Sequence, residues 1–222
     1  MDKNKQAIKF MKENKYEEAA NLFSDIIDEQ PDDPVGYINF GNLLVHVNDL
    51  ERAQRFFEKA IELDEHAATA YYGLGNLYLE QSIYPKAQEN FQKAIDLGLE
   101  EADVYYLLGM TFQQQEHYKL ALPYLLRATE LDANDEEMLF QYGLSLAQSN
   151  HLKDAETAMI KVLKMNPDHS DAHYNLGVIN LFNDNIQTAM QHFDEALRVQ
   201  PDHVLAANGK KNVENIVNNN EK

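Results

Sequence analysis

Glycine returns at one fixed interval along this chain: Gly41, Gly75, Gly109, Gly143 and Gly177 stand 34 residues apart. Ala19, Ala53, Ala87, Ala121, Ala155 and Ala189 keep the same interval. A period of this length signals stacked helical hairpins, each burying its apolar stripe only against its neighbours. It overrides the prior of one or two globular domains that 222 residues would otherwise suggest.

The units read as 1–33, 34–67, 68–101, 102–135, 136–169 and 170–203, followed by a lone capping helix over 204–218. Residues 1–218 are expected to form one domain and 219–222 a disordered tail. The stretch 68–101, ATAYYGLGNLYLEQSIYPKAQENFQKAIDLGLEE, shows the unit most fully. Its first helix carries Tyr71, Leu74, Gly75 and Tyr78, whose spacings of three and four place them on one face. Its second carries Ala87, Phe91 and Ala94. The first helix of the chain, lysine-rich with Ala7, Phe10 and Met11, lacks the glycine and suits a terminal cap. The last unit places His173 and Asn180 in core columns, so looser packing is expected there.

Glycine inside a helix costs about 1 kcal/mol against alanine, so its recurrence needs a reason. Close approach of the two helices of a hairpin supplies one, and the alanine column on the second helix fits the same demand. Between the helices, Asn14, Asn48, Ser82, Glu116, Asn150 and Asp184 share one slot. Asn and Asp suit a left-handed helix end; Ser82 and Glu116 fit it less well. Pro85 suits a helix start, whereas Pro123 lies a turn further in and predicts a kink or an altered start.

The formal net charge of −18 argues against nucleic acid and anionic membrane surfaces, both of which call for Lys and Arg. There is no cysteine, which removes disulfides, thiolate nucleophiles and Cys-based zinc sites. The opening residues show no apolar core of signal-peptide length, and no run is long enough to span a bilayer. A soluble cytoplasmic protein is expected.

The set Y-x-x-L-G-x-x-Y, then A, F and A at fixed distances, then often P, resembles the tetratricopeptide repeat (TPR). The resemblance covers essentially the whole chain. It departs in unit one, which lacks the glycine, and in the proline slot, held only by Pro31, Pro167 and Pro201. The resemblance implies an all-α, right-handed superhelical solenoid of about six helix-turn-helix units plus the capping helix. It implies a concave groove lined mainly by first helices, and binding of peptides or helices of other proteins.

In that groove three columns face away from the hairpin partner. They are Ile38, Tyr72, Tyr106, Phe140 and Tyr174; Asn42, Asn76, Met110, Leu144 and Val178; and Val45, Leu79, Gln113, Ala147 and Leu181. Inter-repeat packing is the competing reading for each residue. Together they form an apolar strip of the kind that meets a partner. The first helices of units two to six contain no Lys or Arg but do contain Glu80, Asp103, Glu116, Glu137, Asp171 and Asp184. Some family members grip a C-terminal carboxylate with groove lysines and asparagines. Asn42 and Asn76 are present here and the lysines are not, so no such clamp is expected. The expected ligand is an apolar or weakly basic peptide or amphipathic helix. The candidate binding residues are Ile38, Asn42, Tyr72, Asn76, Tyr106, Met110, Gln113, Phe140, Gln141 and Tyr174. Asn39, Asn42, Asn76, Gln141 and Asn175 are candidates to bond the ligand backbone.

Eight histidines raise the question of metal. The best group is His169, Asp171 and His173, too few ligands for a closed zinc site. Gly73-Leu-Gly75 starts like a dinucleotide fingerprint but follows no strand and lacks the third glycine. No catalytic constellation stands out, so no enzyme activity, cofactor or metal is expected. The reading is a scaffold or adaptor for other proteins. The alternatives are a self-associating structural solenoid, hence a homo-oligomer, and a non-catalytic subunit of an enzyme.

Overall fold

The structure, a computed structural model, describes residues 2–220. Among these it contains thirteen α-helices and no strand. The chain divides into two compact units, Met1–Gln115 and Glu116–Lys222. The first holds α1 (Lys3–Lys12), α2 (Tyr16–Glu29), α3 (Pro34–His46), α4 (Leu50–Leu63), α5 (Ala68–Glu80), α6 (Tyr84–Asp96) and α7 (Ala102–Gln113). The second holds α8 (Tyr118–Leu131), α9 (Glu136–Gln148), α10 (Leu152–Met165), α11 (Ser170–Phe182), α12 (Ile186–Val199) and α13 (Val204–Asn220).

Within each unit every helix packs on the next, and first helices also touch first helices: α3 with α5, α5 with α7, α9 with α11, α11 with α13. That second set of contacts distinguishes a stack of hairpins from a chain of isolated pairs. The alanine column is fully buried from Ala19 to Ala189, as are Ala60, Ala94, Ala128 and Ala196.

The glycine's neighbour is not the alanine column. A methyl group placed on Gly41 would lie 2.7 Å from Cε1 of Phe57, and one on Gly177 would lie 2.6 Å from Cε1 of Phe193. The residue that faces the glycine is therefore four positions beyond the alanine, where Phe23, Phe57, Phe91, Leu125, Met159 and Phe193 recur. All six are fully buried. Positions four apart share a helix face, and the larger side chain fills the hollow that glycine leaves. Phe57 and Phe193 are met a second time from the following first helix, at Gly73 and Gly209. Gly209 in the capping helix thus makes room for the last ring of the stack.

All six turn-slot residues are left-handed, with φ between 58° and 65°. Ser82 and Glu116 adopt the same conformation as the four Asn and Asp residues. The following amide closes the helix end by bonding back to a carbonyl five residues earlier: Lys15 to Phe10, Asp49 to Leu44, Ile83 to Tyr78 and His151 to Leu146, each at 2.8 Å. Because the cap is made by backbone groups, any residue that tolerates φ > 0 can hold the slot. Pro85 sits in the first turn of α6, as expected. Pro123 lies inside α8, which is assigned as one helix from Tyr118 to Leu131; proline leaves one carbonyl of that helix without its usual donor.

His173 and Asn180 are not packing faults. Tyr37 donates its hydroxyl to the Pro31 carbonyl at 3.1 Å, and in the last repeat His173 Nε2–H donates to the Pro167 carbonyl at the same distance. Asn180 is buried and donates to the Leu176 carbonyl at 2.9 Å. Helix α13 runs to Asn220, two residues past the expected end, since adding residues to a formed helix costs little. Positions 221–222 of the expected tail, and Met1, lie outside the described residues. Among the described residues no helix is long and apolar enough to cross a membrane.

Candidate functional site

In the unit 116–222, helices α9, α11 and α13 line a concavity of about 540 Å³. Phe140, Leu144, Ala147 and Gln148 come from α9, Asp171, Tyr174, Asn175, Val178 and Ile179 from α11, and Leu205 from α13, with Leu152 at the margin. Asp171 is the one charged side chain among these lining residues. Val178 is 42% exposed and Leu205 56%, so apolar surface is open to solvent here.

Two imidazoles pack against residues of this wall. His169 and His203, 34 residues apart, precede α11 and α13. Each accepts a backbone N–H on Nδ1, from Ala172 and Ala206, both at 3.2 Å. With Nδ1 acting as acceptor, His203 carries its proton on Nε2 and donates it to Asp171 Oδ1 at 3.0 Å. The ring of His169 lies 4.6 Å from that of Phe140, and His203 lies 5.3 Å from Tyr174.

Those contacts sort the sequence candidates. Phe140 is buried, clustered with Met159, Val162, Ala172 and Leu176 and with the His169 ring against it. Ile38 and Gln113 are also buried. These three expose little of their surface, though Phe140 still contributes to the wall of the concavity. Asn42 is exposed, while Tyr72, Asn76, Tyr106, Met110, Gln141 and Tyr174 are half-buried. Tyr72 stacks 5.9 Å from Phe91 and hydrogen-bonds with Asn76; burial raises its phenol pKa, partly offset by that bond. Burial likewise raises Tyr174, so both hydroxyls stay protonated at neutral pH. Several amides proposed for a ligand backbone are already engaged. Asn39 donates to Asn4 at 3.1 Å, Gln141 to Glu137 at 2.7 Å and Asn175 to the Asp171 carbonyl at 2.8 Å.

Phe140 and Tyr174 are brought together in the concavity of the second unit. Ile38, Asn42, Tyr72, Asn76, Tyr106, Met110 and Gln113 belong to the first unit, on α3, α5 and α7. Asp171 and Leu205 were missed as lining residues, although they too are 34 apart, in the first turn of successive first helices. That column mixes charge with aliphatic side chains and so carries no periodic hydrophobic signal. Among the described residues no three His, Asp or Glu side chains gather where they could hold a metal.

Comparison with known proteins agrees with this architecture. Family models for the tetratricopeptide repeat match residues 36–66, 67–134 and 140–204. The TPR repeat-containing protein YrrB of Bacillus subtilis is 51% identical over 41 residues, a stretch spanning 18% of this chain and only a fifth of that relative. The crystal structure of YrrB, described as a TPR protein with an unusual peptide-binding site, matches with a TM-score of 0.83 and 46% identity, over 86% of this chain and 99% of that one. PilF of Pseudomonas aeruginosa shares the fold at a TM-score of 0.79 and 14% identity, over 95% of this chain and 96% of that one. With the glycine, alanine and aromatic columns packed as repeating hairpins and a relative 46% identical matched along its length, the chain belongs to the tetratricopeptide repeat family and has that family's all-α solenoid fold.

Proposed function

We propose that this chain is a scaffold or adaptor that holds a segment of another protein against its first helices. The segment is apolar or weakly basic, extended or helical. The observation that carries this reading is the concavity of α9, α11 and α13: apolar walls, exposed Val178 and Leu205, one carboxylate and no cation among the lining residues. An acidic C-terminus finds no positive group there, while a Lys or Arg beside apolar side chains finds Asp171. The peptide-binding site described for YrrB supports binding of this kind in general terms. We propose further that residues 1–218 work as one domain, on the constant register of the repeats, and that the protein is soluble, cytoplasmic and non-enzymatic.

The test is capture of a labelled amphipathic peptide by wild type and by Val178→Glu with Leu205→Glu. Both positions are exposed, so helicity should not change, and the double variant should bind at least about tenfold more weakly. Equal affinity at equal helicity removes the site. A second reading, self-association, draws on Phe182, which is 70% exposed at the end of α11. Sedimentation over a range of concentrations, with Phe182→Ser as control, separates it: a monomer throughout excludes it.

A further inference from the structure

The sequence pairs His173 with His169, but the structure gives His173 a different partner. Nδ1 of His173 on α11 lies 3.2 Å from Nδ1 of His192 on α12. Nε2–H of His173 is committed to the Pro167 carbonyl at 3.1 Å, which leaves its Nδ1 lone pair free to accept. A backbone carbonyl fixing the far ring nitrogen is the arrangement that orients a metal-binding imidazole. In a tetrahedral zinc site with bonds of about 2.0–2.1 Å, two ligand nitrogens stand about 3.3 Å apart. The observed separation already matches. The pair opens onto a surface hollow of about 460 Å³, lined also by Gln191, Asp194 and Glu195.

We propose that His173 and His192 form a two-imidazole site for a divalent transition metal of the zinc, nickel and copper group, with water completing the coordination shell. The neighbouring carboxylates do not close it. Asp194 pairs with Lys210 at 2.7 Å, and Glu195 pairs with Arg198 at 2.7 Å. The site is therefore open and exchangeable rather than a closed structural centre. In the metal-free state His192 donates Nδ1–H to His173. Binding requires its other tautomer, with the proton on Nε2, so no net proton leaves the neutral pair. Imidazole donors select this group of metals over Mg²⁺ and Ca²⁺, which seek oxygen. Loading would tie α11 to α12 at the hairpin that carries part of the concave wall.

The test uses the full chain. Zn²⁺ is titrated calorimetrically in a chelator-free buffer, with Mg²⁺ as control, while imidazole ring resonances are followed by NMR. The expected result is one saturable site whose first-shifted resonances are those of His173 and His192. His173→Tyr places in this slot the residue found at Tyr37, Tyr71 and Tyr105, so the fold should be kept. It should weaken Zn²⁺ by roughly tenfold or more, as should His192→Gln. Unchanged affinity in both variants, first shifts on other histidines, or no binding by about 1 mM overturns the assignment.

Discussion

Gly41 holds open the space that the ring of Phe57 fills, since a Cβ at Gly41 would lie 2.7 Å from Cε1 of that ring. Helix propensity alone says that Gly41→Ala should stabilise by about 1 kcal/mol. The packing says the reverse: overfilling costs about 1–3 kcal/mol, so the variant should lose stability in urea unfolding. Phe57→Leu, which copies the Leu125 found in the same column, should reduce that loss when combined with Gly41→Ala. Independent, additive effects would show that the two side chains do not share the space.

The left-handed slot makes a prediction of opposite sign. Ser82 and Glu116 hold φ values of 58° and 59° with an L side chain. Ser82→Gly and Glu116→Gly should each raise stability by about 0.5–1 kcal/mol, because glycine carries no Cβ penalty there. A thermal midpoint that falls in both would mean that their side chains contribute something the turn geometry does not require.

Acid should weaken the α11–α12 hairpin through His192. Its folded pKa lies below the ordinary value of 6.5, through burial first and the nearby His173 second, with Glu195 opposing. The unfolded chain therefore takes up that proton more readily. The stability tied to neutral His192 is complete above about pH 6.5 and is lost as pH falls through the lower folded pKa. Comparing thermal midpoints at pH 7.5 and 5.5 should show a smaller fall for His192→Gln than for wild type. Parallel falls would place the acid sensitivity elsewhere.

Asp171 should act on the charge of the bound segment rather than on the fold. Asp171 is exposed, and its carboxylate meets His203 on one oxygen. Asp171→Asn should weaken binding of a Lys- or Arg-containing peptide several-fold and flatten its dependence on salt, while a neutral apolar peptide is little affected. Equal weakening of both would point to a disturbed helix end instead.

Much of this architecture is legible in the spacing of the residues. The 34-residue register sets the helix order, the buried alanine column and the turn slot, because each repeat sees nearly the same neighbours. What fills a hollow is not legible from register alone. The spacing shows that Gly41 faces inward, but Ala53 and Phe57 lie on the same face, and only coordinates show that the ring takes the space. The candidate site is less legible for a related reason. Phe140 and Tyr174 read as groove residues within their own helices, yet the rings packed against them, His169 and His203, come from the loops at the far end of their units, just before α11 and α13. Asp171 and Leu205 went unread as lining residues because their column, Val35, Thr69, Asp103, Glu137, Asp171 and Leu205, mixes carboxylate, hydroxyl and aliphatic side chains. The His173–His192 pair is separated by 19 residues and crosses a hairpin, so no local motif announces it.

The most direct measurement is a paired titration of the full chain by fluorescence anisotropy. One labelled peptide is an amphipathic helix with apolar side chains and a few lysines; the other has the same length and an acidic C-terminal segment. The lysine-poor, apolar concavity predicts saturable binding of the first and at least about tenfold weaker binding of the second. Preference for the acidic peptide, or no binding of the first at concentrations that saturate the second, would contradict the account.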